Sequence, residues 1–290
     1  MAISAAAVKA LREKTGAGMM DCKRALSDAD GDDAKAVELL RERGLAKAVR
    51  RSGRETSEGT IAIGFEGAAA AIVELGCETD FVAKTDDFQE LADAIVRAAV
   101  ANPGATGPDA LEAVSLGSET VGERIQAAVG RLGENIVLKR VTRIGVDGPG
   151  VAGGYVHAGG KLGVVVALAT DATDDDVATL ARDLAMHVAA ADPHPVAVDR
   201  DGVPKQLVDK EAELFRKQAE QEGKPEKVIE RIVEGRVRKF YSEVCLLEQA
   251  FVKDPDETVQ QLLGEASERL GNPVQVEGFV RYRLGETTGE

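Results

Sequence analysis

Laid against itself, the chain repeats. Glu119-Thr120-Val121 recurs as Glu257-Thr258-Val259, Arg131-Leu132-Gly133 as Arg269-Leu270-Gly271, Ala128 as Ala266 and Arg143 as Arg281, all at one offset. The apolar residues Ile136, Leu138 and Val141 meet Val274, Val276 and Phe279 at that same offset. This register predicts a helix, a glycine C-cap and a strand in each copy. A weaker correspondence lies upstream, where 59–76 and 153–169 each read as strand, Gly-containing turn, strand. Both continue into Thr-Asp (Thr79-Asp80, Thr170-Asp171) and then into a helix, one with Leu91 and Ile95 that ends before Pro103, the other with Leu180 and Leu184 that ends before Pro193. A chain built this way is an α+β protein with a duplicated core: unit one over 59–147, unit two over 148–203 and 241–290.

The segment 204–240 interrupts unit two. It reads as two helices around Gly223-Lys224-Pro225, with Leu207, Val208, Leu214 and Phe215 facing Val228, Ile229, Ile232, Val233 and Val237 at three-and-four spacing. A Gly ending the first helix and a Pro just inside the second are hairpin punctuation, and the density of Glu, Lys and Arg predicts a hairpin that projects from the body. Ahead of the core, residues 1–50 predict three short helices. Val8, Leu11 and Arg12 lie in the first, Asp21 is the expected N-cap of the second (with Arg24 where a capping box prefers Glu or Gln), and Ala34, Val37, Leu40 and Leu45 stripe the third. The polar stretch 51–58 reads as a linker.

Composition narrows the function. Among 290 residues the formal net charge is −14, which argues against phosphate backbones as partners, since nucleic-acid affinity comes largely from Lys and Arg. The nearest basic run, Lys47, Arg50, Arg51 and Arg54, reads as a solvated helix end and linker. Three isolated cysteines, Cys22, Cys77 and Cys245, fit neither a disulfide framework nor a zinc site, and predict packed, reduced thiols. The N-terminus lacks the charged and apolar regions of a signal peptide, and no run is long and apolar enough for a membrane span, so the expected compartment is the cytoplasm.

Catalytic chemistry is not visible. His157, His187 and His194 have no metal-ligand spacing. The run His157-Ala158-Gly159-Gly160-Lys161-Leu162 lacks the first glycine and the Ser or Thr of a phosphate loop, and reads as a Gly-rich turn between Val156 and Val164. Asp174-Asp175-Asp176 suits a helix N-terminus. No nucleophile–base pair, cofactor motif or metal set supports an enzyme. Two other features stand out. Thr79-Asp80-Phe81-Val82-Ala83-Lys84 joins a strand ending near Leu75 to a helix starting near Asp86, with Gln89 as its capping-box partner. It places Phe-Val where unit two has Ala172-Thr173, in a chain with only 3% aromatic residues and no Trp. Phe81 either folds back as a hydrophobic staple or stands out as a contact. Of the consecutive Met19 and Met20, one is expected at the surface, where a flexible thioether suits a protein contact.

These residues carry a specific resemblance. Leu11 through Lys23 and Glu78-Thr79-Asp80-Phe81-Val82-Ala83-Lys84, with Ala185-Met186-His187-Val188-Ala189-Ala190 and Glu234-Gly235-Arg236, are similar to the motifs of the bacterial elongation factor Ts family, the guanine-nucleotide exchange factors of the GTPase elongation factor Tu. The resemblance covers nearly the whole chain. It implies a ubiquitin-associated-like three-helix N-terminal domain, a duplicated core and a helical hairpin. It also implies that Thr79, Asp80, Phe81 and Val82 bind the partner and dislocate its Mg²⁺, that Arg12, Met19, Met20 and Lys23 dock the N-terminal domain, and that His157 in unit two holds another part of the partner. No cofactor or metal of the chain's own is implied. The hairpin is left with two uses, dimerising the factor or lying against the partner, and the extra C-terminal helix of some members has no counterpart after Leu284. The competing expectation is an interaction module that binds a protein through its helical N-terminal domain without exchange activity.

Overall fold

The computed structural model describes residues 3–173 and 175–286, apart from the side chains of residues 45 and 47–49. The expectations for Leu45 and Lys47 fall on those side chains, and that for Asp174 also lies outside the described residues.

Three helices open the chain. α1 (Ala5–Thr15) starts where Ser4 Oγ accepts from the Ala7 N–H, and stops at Gly16 in the left-handed region. α2 (Met19–Asp28) has Gly18 as its N-cap, so Asp21 sits inside the first turn, paired with Arg24, and is not the cap that its side chain suggested. α3 (Asp33–Arg51) runs through Gly44 without a break. Val8, Leu11, Cys22, Ala25, Leu26 and Ala36 form the core of this bundle. The stretch after it is fastened more firmly than a free linker: Asn135 Nδ2 donates to the Arg54 carbonyl (2.8 Å), and Lys139 Nζ donates to that of Thr56.

Unit one begins with the hairpin of β1 (Glu58–Glu66) and β2 (Ala69–Cys77), followed by a single turn, α4 (Asp80–Ala83), and the long α5 (Asp86–Ala101). α6 (Pro108–Glu112) and the ribbon of β3 (Ser115–Leu116) and β4 (Glu119–Thr120) lead into α7 (Val121–Leu132), which delivers the chain to β5 (Ile136–Gly145). Unit two repeats the order. The hairpin of β6 (Gly150–Val156) and β7 (Leu162–Ala169) precedes α8 (Asp175–Ala190). The inserted α9 (Lys205–Gln221) and α10 (Glu226–Val244) follow, then the ribbon of β8 (Ala250–Phe251) and β9 (Asp254–Thr258), α11 (Val259–Leu270) and β10 (Gln275–Arg283).

The two antiparallel sheets have one topology, β1-β2-β5 and β6-β7-β10. The duplication extends to hydrogen bonds. Thr120 and Thr258 each cap a helix in a full capping box, with Glu123 and Gln261 as partners, and Gly133 and Gly271 each end it at positive φ. Side chains alternate across the central strands as the period of two requires. Ala71, Val73 and Leu75 of β2 face α5 and α7, while Val164, Val166 and Leu168 of β7 face α8 and α11. Ile61, Ile72, Val165 and Tyr282 meet between the sheets. The result is four layers, helices outside and two sheets back to back, so both central strands are buried on both faces.

A buried carboxylate joins the copies. Glu74, on the inter-sheet face of β2, accepts from Arg140 Nε (2.8 Å) and from the Gly285 N–H beyond β10 (3.1 Å). Arg140 in turn donates to the Arg283 carbonyl and lies over the Tyr282 ring, 4.1 Å from its centroid.

The hairpin departs from expectation in two details. Pro225 is the N-cap of α10, one residue outside it, and α10 continues to Val244. Leu214 and Val228, expected on the inner face, are exposed, while Ala219 and Ile229 are buried between the helices. At the base, Gln249 donates to the Pro193 and Glu243 carbonyls and pairs with the buried His187 on α8 (2.9 Å). The Val252 N–H donates to His187 Nδ1, so the ring proton belongs on Nε2, and burial pulls the imidazole below its ordinary pKa. Among the described residues, no helix is long and apolar enough to cross a membrane.

Candidate partner-binding site

The corner between β2 and α5 is where unit one departs from unit two. In place of the expected loop, residues 80–83 form one helical turn capped by Thr79, whose Oγ1 accepts from the Val82 N–H. An isolated turn of four residues is far too short to be stable alone, because helix nucleation fixes several dihedrals for each bond formed. Its neighbours hold it. Glu134, just past the Gly133 cap of α7, accepts the Glu78 N–H (3.1 Å), the Thr79 N–H (3.0 Å) and the Thr79 hydroxyl (2.6 Å). In the opposite direction Glu78 Oε1 accepts the Asn135 N–H (2.7 Å), which with Arg54 holds the Glu78 carboxyl below the usual range. Cys77 donates its thiol to the Thr79 carbonyl, and burial pushes that thiol up to about 12, so it serves as a donor and not as a nucleophile.

The far end of the turn is also tied. Gln89 Nε2 donates to the Ala83 carbonyl (2.6 Å), and the α5 cap is Thr85, so Gln89 is not the capping-box partner of Asp86. Of the four residues predicted here, Thr79 spends its hydroxyl inward and Val82 packs on the unit-one core, while Asp80 and Phe81 face out. Phe81 is 82% exposed, the most exposed large hydrophobic residue described. It does not fold back as a staple. Asp80 pairs with Lys84 (2.6 Å), which holds its carboxyl below the ordinary value, and the Lys161 charge adds to this. A cleft of 280 Å³ runs beside it, bounded by Asp80, Lys84, Glu58 and the 159–161 turn of unit two.

The N-terminal residues form a second patch. Met19 (57%) and Met20 (63%) are both exposed, where one was expected to be, because α2 starts at Met19 and its core-facing positions begin only at Cys22. Lys23 lies one turn on from both and is exposed, as is Arg12 near the end of α1. The bundle sits against α7: Arg41 pairs with Glu123 (2.8 Å), Arg51 donates to the Val129 carbonyl (3.2 Å), and a Cβ on Gly130 would come within 3.0 Å of the Gly44 Cα. Arg51 is therefore a docking residue, and Arg54 pairs with Glu78 of unit one, so neither is simply solvated. His157 is exposed at the β6–β7 turn, its Nδ1 2.9 Å from the Tyr155 hydroxyl. That turn joins unit one, since the Gly160 carbonyl accepts from the Ile61 N–H (2.7 Å) and Lys161 pairs with Glu58 (2.7 Å). Sequence reasoning missed Glu134, Asn135 and Lys161, whose roles come from long-range contacts that no local pattern announces.

Among the described residues no group of His, Cys, Asp and Glu is placed to hold a metal ion. What the corner offers is a rigid, capped turn presenting one aromatic ring and one carboxylate, with a thioether patch elsewhere on the same molecule.

Comparison with known proteins agrees with the motifs. Residues 78–286 match the family model described as Elongation factor TS. The chain is 44% identical over 286 residues to Elongation factor Ts of Clostridium botulinum (strain Alaska E43 / Type E3), covering 98% of this chain and 93% of that one. It is 46% identical to Elongation factor Ts of Maricaulis maris (strain MCS10) over 290 residues, covering 98% and 92%, and 48% identical to that of Prosthecochloris aestuarii (strain DSM 271 / SK 413) over 289 residues, covering 98% and 99%. With the duplicated core, the capped Phe81 turn and this identity along nearly its whole length, the chain belongs to the elongation factor Ts family of translation elongation factors.

Proposed function

We propose that the chain is a guanine-nucleotide exchange factor that binds elongation factor Tu in its GDP form and speeds GDP release, so that GTP can load. The observation that carries this reading is the outward Phe81 ring, held on a turn whose polar groups are already bonded and set beside the Asp80 carboxylate. A GTPase holds its nucleotide through a phosphate loop and a Mg²⁺ ion. A rigid ring wedged between packed elements displaces them, and a carboxylate at a cation site perturbs the ion's field. The factor forms and breaks no covalent bond and uses no cofactor of its own. It works by linkage: it binds the nucleotide-free partner more tightly, and nucleotide weakens the factor by the same ratio. A coupling of about 4 kcal/mol corresponds to roughly a thousandfold.

Met19, Met20, Lys23 and Arg12 dock the N-terminal domain on the same GTPase, and His157 holds a separate part of it. A protein partner tolerates the −14 charge that a nucleic acid would not. The test is the rate of fluorescent-GDP loss from elongation factor Tu with and without this protein. Acceleration is expected; binding without acceleration would leave only an interaction module.

A further inference from the structure

We propose that Glu134 is the positioning residue of the Phe81 wedge: its carboxylate, held at the α7–β5 corner, fixes the turn that carries the ring. The inference rests on the exchange reading above and adds a residue to it. Glu134 takes the Glu78 and Thr79 N–H groups and the Thr79 hydroxyl, and Asn135 beside it donates to Glu78, so two adjacent residues on each side clasp one another. Accepting the Thr79 hydroxyl has a further effect. With its proton directed at Glu134, Thr79 Oγ1 has lone pairs left for the Val82 N–H, so the cap of the wedge turn is oriented from α7.

The second copy supplies an internal control. At the offset that relates the helix–strand repeats, Glu134 and Asn135 correspond to Asn272 and Pro273, and in the separate upstream correspondence Thr79 matches Thr170. Asn272 spends its side-chain amide on the Leu270 carbonyl, Pro273 has no N–H to give, and Thr170 Oγ1 takes the Ala172 N–H. Among the described residues of that corner there is no clasp, no helical turn and no exposed ring, and Ala172 is buried. A carboxylate needed merely to close a helix–strand corner would be needed in both copies. It is present only where a ring has to be aimed. The same end of α7 also receives the N-terminal bundle at Val129 and Gly130, so the wedge and the methionine patch are referenced to one helix.

The chain has no Trp, so Phe81→Trp places a single fluorophore at the wedge. In that background, without partner, Glu134→Ala is expected to increase the amplitude of local motion in the fluorescence anisotropy decay. Glu134→Gln, whose carbonyl still accepts backbone N–H groups but whose amide cannot accept the Thr79 hydroxyl, should lie between. With Phe81 restored, Glu134→Ala should lower the maximal rate of stimulated GDP release by about tenfold, the scale on which misplaced groups lose rate, and Glu134→Gln should recover part of it. An unchanged decay in both variants overturns the assignment, as does a changed decay with parental exchange. A changed decay alongside a parent that fails to speed GDP release upholds the clasp and removes the exchange reading instead.

Discussion

Phe81→Ala separates folding from function more cleanly than any other substitution in this chain. Four-fifths of the residue is already in water, it lies within a one-turn helix, and Ala is the better helix former, so folding stability should change by less than about 0.5 kcal/mol. Binding is different. Fully burying a Phe side chain is worth roughly 1.5–3 kcal/mol, and the exposed share leaves about 1.2–2.5 kcal/mol to be gained in a partner's interior. At about 1.4 kcal/mol per decade, losing it should slow stimulated GDP release by on the order of tenfold to fiftyfold. The assay is stopped-flow release of fluorescent GDP from elongation factor Tu, with thermal unfolding of the free variant as control. An undiminished release rate with an intact fold would remove the wedge from the mechanism. A large loss of stability would show that the ring packs at home after all.

Three further outcomes follow from the same geometry. Asp80→Ala should slow exchange less than Phe81→Ala, because it deletes a Lys84-paired carboxylate and no packing; the reverse order in the same assay would put electrostatics ahead of the wedge. Glu74→Ala removes the buried carboxylate that pairs with the half-buried Arg140, leaving that guanidinium the Arg283 carbonyl, and should cost about 3 kcal/mol in denaturant unfolding, whereas a loss below about 1 kcal/mol would mean the inter-copy network contributes little. His187 is buried neutral with a folded pKa below its unfolded value of about 6.5. Above that pH both states are neutral and the residue adds no pH dependence. As pH falls below it the unfolded chain takes up the proton first, so stability declines. His187→Asn should flatten this part of the stability–pH curve, and identical slopes in parent and variant would refute the linkage.

The large architecture was legible because its signals are local or repeated. Thr120 and Thr258, followed by Gly133 and Gly271, mark helix ends by residue chemistry alone, and their common offset exposed the duplication. The topology of two matched sheets adds what pairing across the chain decides. Boundaries slipped where a competing side chain supplied the cap. Thr85, not Asp86, caps α5, which frees Gln89 to hold the Ala83 carbonyl. At α2 no side chain caps the start at all: Gly18 precedes Met19, and both methionines are exposed. The helical turn at 80–83 was not legible at all, because four residues have no periodicity to read, and its stability comes from Glu134, far along the chain. Phe81 could be read either way from patterning, and only the tertiary accounting of Thr79, Gln89 and Glu134 separates the staple from the outward ring.

That accounting explains how a duplicated scaffold yields an asymmetric tool. Both copies have the same sheet and the same capped helix, so both can brace a corner between the second strand and the first long helix. In unit two the corresponding position, Ala172, is buried, and the described residues of that corner present no exposed ring. In unit one the polar atoms around the corner are paired within the chain: the Thr79 hydroxyl on Glu134, the Glu78 carboxylate on Asn135, the Ala83 carbonyl on Gln89. A group already bonded at home gains little by reaching for a partner, and a ring on a bonded turn loses little entropy when it docks. In the proposed exchange reading the acidic net charge matters less than it would for a charge-driven binder, because the exposed groups offered to the partner are a benzyl ring and two thioethers. The selectivity of such a wedge lies in where it is held, and so the residues that hold it are as much a part of the site as the ring itself.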